Sequence, residues 1–580
     1  MDSEMKIITE SADMERQNAH HFKSALISFL PTLLNLRSIL QVDEALQEFS
    51  SKYCEDLFTK DKGTIVNADG IYLASHLALL LNFRLIQSDY YQNPSKEIPY
   101  SEADFVEGVQ GSGVLVYLSA AWLSELYQIT LSNNFLSLAG YCSSNSDNLA
   151  LINLLTDLES IPNNGQANSQ YLVDCQRLEK AALRPEISPE TEAGIKLSRR
   201  ILTCVWDSML VVLGVPLQES LALKKKSHRL LILGNEAVKR ALAKEAVVMS
   251  LEALQKAASL TTVSGLQSRC GGVFALLASA TTPSSVGPLV SAQPLSTLTA
   301  PHALSLEVIL SRGLELGSHA QECWTHVFSC CLYVGQLEHQ FFSQNQKSSV
   351  PTSINSVKVD KVSTTDRLNL SFNPVENEDD ECMDVYSFLA SPSSPTGPVP
   401  KSIADLISKN RLDGQGNSLL NTETSAEVIC ILSQHVDRLF EEVALKLNLS
   451  SLKKFMNELC SASKKQLFTN STAKSTNQGK RWWWIPSSRS TSYSPLLLSR
   501  ASQVTLRCIR SGRPLIHIMN IWSIVGPHFM EAACHKDNSI SKLAVSSMHD
   551  IITALLNENV ELPHFHFNES LFKPYETCCV

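Results

Sequence analysis

The sequence predicts an all-α protein, on three observations. Apolar residues recur at i, i+3, i+4 and i+7 in block after block. Strict alternation of apolar and polar residues never persists, so no strand pattern emerges. The most strongly apolar early stretch, Ile71 to Leu81, is apolar nearly throughout, as in a helix buried almost all round. The expected plan is a helical domain followed by α-solenoid segments of HEAT or armadillo type, although no strict repeat is visible.

Taken in order, residues 1–18 read as a polar, acidic and flexible lead-in. Two helix-like segments follow, ALISFLPTLLNLRSILQVDEALQEFS and NADGIYLASHLALLLNFRLIQ, joined around Lys60-Asp61-Lys62-Gly63. The second opens on Asn67-Ala68-Asp69, where Asn and Asp side chains can accept from free backbone N–H groups. Tyr100-Ser101-Glu102 and Gly111-Ser112-Gly113 punctuate the next helices. Trp122, Leu123, Leu126 and Tyr127 make one apolar face. A helical block covers Leu149 to Leu158, and 163–169 reads as a polar loop.

Helices resume from Glu192 to Leu260, interrupted by Lys224-Lys225-Lys226. That run reads as a solvated loop, with a membrane or phosphate contact as the sharper alternative. Residues 278–303 look like a Ser/Pro linker, and Leu304 to Phe342 a folded segment holding Trp324 and Tyr333. Residues 343–424 have the composition of disorder. Within them ENEDDECMDVYSFL reads as a solvated acidic patch, or else as a peptide that docks on a partner. From Thr424 to Ala462 one amphipathic helix is expected, with Val436, Leu439, Phe440, Val443 and Leu447 on its apolar face. Low complexity returns over 463–498, apart from Lys480-Arg481-Trp482-Trp483-Trp484, a run that could enter a membrane interface. Helices occupy 499–580, with Met548, Ile551, Ile552 and Leu555 on one face. The expected divisions are therefore 1–18, 19–225, 226–342, 343–424, 425–462, 463–498 and 499–580.

Composition narrows the function classes. Of 580 residues 44% are hydrophobic and 18% charged, with a net charge of −9. No basic excess argues for nucleic acid as a partner. The 15 cysteines form no framework and read as reduced thiols. The N-terminus has no apolar core of a signal peptide. The most apolar window, Ile201 to Leu217, is short for a membrane span of about 20 residues and contains Asp207, so a buried helix is expected.

Signatures of chemistry are sparse. There is no P-loop, CxxC pair, HExxH or GxSxG. His564-Phe565-His566 has no third partner for a metal, and no cofactor is expected. Leu77-Leu80-Leu81 and Leu151-Leu154-Leu155 spell LxxLL, but in so leucine-rich a chain they read as core.

One stretch does resemble a known family. NADGIYLASHLALLLNFRL is similar to the second signature of the Sec-seven domain, an all-helical guanine nucleotide-exchange module acting on ADP-ribosylation factor (Arf) GTPases. Asn67, Ala68 and Asp69 match its opening; Leu81, Asn82 and Leu85 match part of its close. The family's Thr, Asp and His are replaced by Phe83, Arg84 and Ile86. Upstream, QVDEALQEFS aligns with a further family segment through Asp43 and Phe49. In that register the family's Leu-Pro-Gly-Glu becomes Leu36 in place of Pro, Arg37 in place of Gly and Ser38 in place of the catalytic glutamate. The segments LELGSHAQECWTHVFSCCLYVGQLEHQFFS, IRSGRPLIHIMNIWSIVGPHFMEAACHKDNSISKLAVSSMHDIITALL and HFHFNESLFKPYE resemble the helical region downstream of that domain in the large Golgi exchange factors.

The resemblance implies an Arf-linked regulator of Golgi and secretory-granule traffic. It also implies that this chain is a fragment or short isoform. In the family mechanism the glutamate repels the nucleotide's β-phosphate and competes for its magnesium. A serine hydroxyl has no charge for either task, and loss of one such group typically costs on the order of 10²–10³ in rate. The chain is therefore expected to be catalytically degenerate and to act as a scaffold or negative regulator, with no catalytic residue of its own. The residues expected to line a GTPase groove are Arg37, Ser38, Asn67, Ala68, Asp69, Tyr72 and Asn82. The implied partners are an Arf-family GTPase engaged unproductively, protein scaffold partners and a membrane met peripherally. The implied location is the cytoplasmic side of Golgi or granule membranes. An active exchange factor and a solenoid scaffold without GTPase contact stand as alternatives.

Overall fold

The computed structural model describes residues 2–60, 66–142, 148–156, 189–222, 236–264, 266–281, 298–317, 320–345, 403, 422–472, 495–558 and 561–578. The polar loop at 163–169, the lysine run, the acidic run and the tryptophan run lie outside them. Among the described residues every element is a helix and no strand occurs, as the periodicity predicts.

Among the described residues seven helices build the N-terminal bundle: α1 (Asp2–Leu34), α2 (Ile39–Lys60), α3 (Ala68–Gln87), α4 (Glu102–Gln110), α5 (Ala120–Ser132), α6 (Phe135–Leu138) and α7 (Leu149–Thr156). The expected lead-in at 1–18 is instead the first half of α1. No glycine or proline precedes Pro31, so helix nucleated on the docked turns around Ala19 and Phe22 propagates back towards the terminus. The core stacks Phe29 on Phe49 at 4.7 Å and sets Phe22 against Trp122 at 5.1 Å. α3 is central: Ile71, Tyr72, Ala74, Ala78, Leu79 and Leu85 are all 0% exposed. Its LxxLL spelling, like that of α7, belongs to the core, with Leu81, Leu151, Leu154 and Leu155 buried. Ser101 begins α4 with a reciprocal capping box to Asp104.

The remaining helices follow as a ladder: α8 (Pro189–Ala222), α9 (Glu236–Val263), α10 (Gln267–Thr281), α11 (Ala300–Gly317), α12 (Glu322–Asn345), α13 (Thr422–Lys446), α14 (Leu449–Thr472), α15 (Leu496–Arg510), α16 (Leu515–Ala533), α17 (Asn538–Glu558) and α18 (Phe567–Cys578). From α8 onward nearly every helix packs on the next and on the next but one. That pattern is a solenoid, in which each helix pair buries its apolar stripe against its neighbours. Trp324, Phe328, Phe440 and Phe455 fill its middle, with Trp324 edge-on to Phe455 at 4.8 Å.

The helix expected from Thr424 to Ala462 is two. Its apolar face is as expected, but α13 stops at Lys446. The Asn448 side chain accepts from the Ser451 N–H at 2.8 Å and starts α14 afresh. The buried Arg513 holds the break in place. Its Nε donates to the Ala444 carbonyl at 2.8 Å and its Nη2 to the Leu447 carbonyl at 2.6 Å, a cation on the C-terminal end of α13. None of the cysteines whose side chains are described forms a disulfide.

A second expectation also changes. The window Ile201–Leu217 lies within α8, yet only Trp206, Gly214 and Leu217 of the span Ala193–Leu217 are buried. Trp206 and Leu217 face α9 and α10, whereas Ile201, Val205, Val211, Val212 and Val215 face solvent. High hydropathy measures apolar content, not whether a neighbour covers each side of the helix.

Candidate functional site

Arg37 and Ser38 lie in the short break between α1 and α2. Ser38 is half-buried and Arg37 exposed. The Val42 N–H donates to the Ser38 carbonyl at 3.0 Å, so Ser38 forms the entry to α2. The turn between α15 and α16 comes up against this entry. A Cβ on Gly512, whose φ of +67° suits glycine, would sit 3.8 Å from Leu40 Cδ1.

The next turn of α2 is held by a buried polar cluster. Tyr72, from α3, donates its hydroxyl hydrogen to Asp43 Oδ1 and accepts from the Ile516 N–H at 3.0 Å. Asp43 Oδ2 accepts from the Leu515 N–H at 2.9 Å and from Gln47 at 2.8 Å. Leu515 and Ile516 begin α16, where backbone N–H groups have no partner within the helix. A carboxylate there satisfies them and lies at the positive end of the helix dipole. Burial pushes the Asp43 carboxyl above its usual range, against the opposing pull of these hydrogen bonds.

The start of α3 departs from the expected capping. Asn67 precedes the helix in extended conformation, but its side chain caps nothing. It pairs instead with the loop before α5: Nδ2 donates to the Leu115 carbonyl at 2.6 Å and Oδ1 accepts from the Tyr117 N–H at 3.0 Å. With the amide so engaged, the free N–H of Ala68 donates to the His564 carbonyl at 2.9 Å. Asp69 Oδ2 accepts from the His566 N–H at 2.6 Å and from Asn67 at 3.2 Å, while its Oδ1 is buried without a partner. Burial raises the Asp69 pKa to about 6. Close by, the Ser51 hydroxyl donates to the Pro563 carbonyl at 2.7 Å and Phe58 stacks on His564 at 5.0 Å.

Asn82, at the other end of α3, is likewise structural. Its Oδ1 accepts from the Leu136 N–H at 3.0 Å, and its Nδ2 donates to the Asn133 carbonyl at 3.1 Å and to Tyr91 at 2.6 Å.

Two of the seven groove residues, Arg37 and Ser38, thus meet solvent. The other five, Asn67, Ala68, Asp69, Tyr72 and Asn82, are 0% exposed. Four of those five touch or flank the chain's own C-terminal segments, which begin at Leu515 and end at His566. Sequence reasoning assigned no role to Asp43, Leu515, Ile516, His564 or His566. Asp43 carried a signal, as a matched family position, but no local pattern pairs it with a residue over 400 positions away. Chemically the cluster offers one serine hydroxyl at its edge and buried carboxylates committed to backbone N–H groups. No group of three or more His, Cys, Asp or Glu among the described residues is placed to hold a metal ion.

Helix pairs ending in a solenoid that folds back on an N-terminal bundle describe an all-α solenoid protein. No family model matches the chain. The chain is 36% identical over 611 aligned residues, 98% of its length, to brefeldin A-inhibited guanine nucleotide-exchange protein 3 from Homo sapiens. It is 35% identical over 610 to the protein of the same name from Mus musculus. The chain spans 28% of the length of each relative. The similarity to these two proteins named brefeldin A-inhibited guanine nucleotide-exchange protein 3 thus runs through nearly the whole of this chain.

Proposed function

We propose that this chain is a regulator of Arf GTPase signalling that works as a scaffold, without exchange activity, at Golgi or secretory-granule membranes. The observation that carries the reading is Ser38, which stands at the register position of the family's glutamate, beside a helix pair that the first turn of the chain's own α16 meets. The relatives are named as guanine nucleotide-exchange proteins, which supports a link to small GTPases. The buried state of Asn67, Asp69 and Tyr72 supports inactivity, because a GTPase would have to displace α16 and the segment at 561–566 to reach them. Ser38 has no charge with which to oppose a β-phosphate, and the Pro-Gly turn that would aim such a group is absent.

Release of a fluorescent guanine nucleotide from Arf on anionic liposomes, with the full chain added, tests this. Release at the uncatalysed rate is expected. A clear acceleration would establish the competing reading, an active exchange factor. Burial of five groove residues also favours a scaffold that meets no GTPase at all. Pull-down with nucleotide-free, GDP-bound and GTP-bound Arf separates the two, since that scaffold would retain none of the three forms.

A further inference from the structure

Between α12 and α13 the described chain consists of Ile403, and that residue is fully buried. Its backbone is helical, and its N–H donates to Glu307 Oε1 of α11 at 2.8 Å. The same carboxylate oxygen stands 3.9 Å from His435 Nε2 of α13. Both side chains are largely withdrawn from water, Glu307 at 14% exposure and His435 at 17%. Burial first, and then the charge of Arg438, lowers the His435 pKa, so the imidazole beside the carboxylate is neutral. α11 and α13 pack directly on each other. Apolar Leu304 and Ile431 lie one turn before Glu307 and His435 on the same helix faces.

The residues around Ile403 have the pattern of a short amphipathic helix. Ser402 and Asp405 have the spacing of a capping box. Ile403, Leu406 and Ile407 fall at i, i+3 and i+4. The first N–H groups of a helix have no acceptor within it, and Glu307 supplies one to Ile403. Chain length fits the same docking. The 18 residues 404–421 join Ile403 to the start of α13 at Thr422. A random coil of that length spans about 21–25 Å. His435 lies 13 residues beyond Thr422, about 20 Å along the helix. A tether matched to its span holds its end at a local concentration on the order of 1 mM.

We propose that the junction of α11 and α13 at Glu307 and His435 is a binding site for a short amphipathic helix, and that its occupant is the chain's own segment 401–407, anchored by Ile403. Any partner helix of the same pattern must displace that segment. The proposal needs no GTPase, so its failure and that of the functional reading above are separable. The test is fluorescence anisotropy of a labelled synthetic peptide of residues 400–410, titrated with the full chain and with its Ile403→Asp form. A segment that binds with a Kd of about 0.1 mM, held at about 1 mM, competes with a free copy about tenfold. The Ile403→Asp chain is therefore expected to bind the peptide about tenfold more tightly than the original chain. A peptide that itself carries Ile403→Asp should not bind. A peptide methylated on the Ile403 nitrogen should bind more weakly, because Glu307 then has no N–H to accept. Hydrogen exchange on the original chain gives a reading that needs no variant, since a buried, bonded Ile403 amide should be protected. The proposal is overturned if the emptied chain binds the peptide no better than the original, or if the aspartate peptide binds as well as the native one. It is equally overturned if the Ile403 amide exchanges at the rate of an unstructured chain.

Discussion

Replacing Tyr72 by phenylalanine removes a single oxygen from the junction between α2, α3 and α16. That oxygen serves two buried partners, donating to Asp43 and accepting from the Ile516 N–H at 3.0 Å. Phenylalanine fills the same ring volume, so no cavity term enters. The cost is that of two orphaned polar groups in a site where Tyr72 is 0% exposed. At about 1–3 kcal/mol for each buried group left unsatisfied, the loss should be about 2–6 kcal/mol. Urea unfolding measures it, provided the slope m is unchanged. Hydrogen exchange should localise it, with the amides of Leu515 and Ile516 exchanging faster than those in the middle of α16. The structure supplies its own control. The Tyr53 hydroxyl is also buried but has no hydrogen-bond partner, so Tyr53→Phe should cost under about 0.5 kcal/mol or stabilise the chain. A loss at Tyr72 no larger than that at Tyr53 would refute the idea that this cluster latches the solenoid end to the bundle.

Three further outcomes can be checked. Burial holds Asp69 at a pKa of about 6, above the 3.8 of an ordinary carboxyl, so its folded-state benefit belongs to the protonated form. The stability it supports is present below about pH 4 and lost as pH rises through 6, on the order of 3 kcal/mol in all. Burial lowers His76 and His528 to about 4, which acts oppositely, so the measurement is the difference between the original chain and Asp69→Asn. That difference in urea midpoint should favour Asp69→Asn increasingly from pH 4.5 to pH 7.5, and a constant difference would count against it. Gly113→Ala should destabilise by about 1–3 kcal/mol, because φ is +79° and the new Cβ would lie 2.7 Å from Ser523 Cβ of α16; thermal melting reads this directly. Ser38→Glu alone should leave nucleotide release from Arf at background, since the turn that would aim the carboxylate is missing and the first turn of α16 is hydrogen-bonded to the helix pair behind it; restored release would refute this.

Local pattern made much of the fold legible. The apolar faces built on Trp122 to Tyr127, Val436 to Leu447 and Met548 to Leu555 are buried as read, because helical periodicity is written into neighbouring residues. Helix ends were legible where the cap is local too, as in Ser101 with Asp104. They were misread where the cap comes from afar. Asn67 has every local mark of an N-cap, yet its amide ties down Leu115 and Tyr117, and His564 takes the helix's free N–H.

What the sequence by itself determined is therefore the helical class and the faces that seek burial. Those follow from side-chain chemistry within a few turns of helix. Tertiary structure alone decided which faces find partners. It left the apolar α8 with one side uncovered, and it brought Leu515 to Asp43 and His566 to Asp69 across more than four hundred residues. No periodicity encodes such pairings, because they depend on how many solenoid turns accumulate before the last helices meet the first.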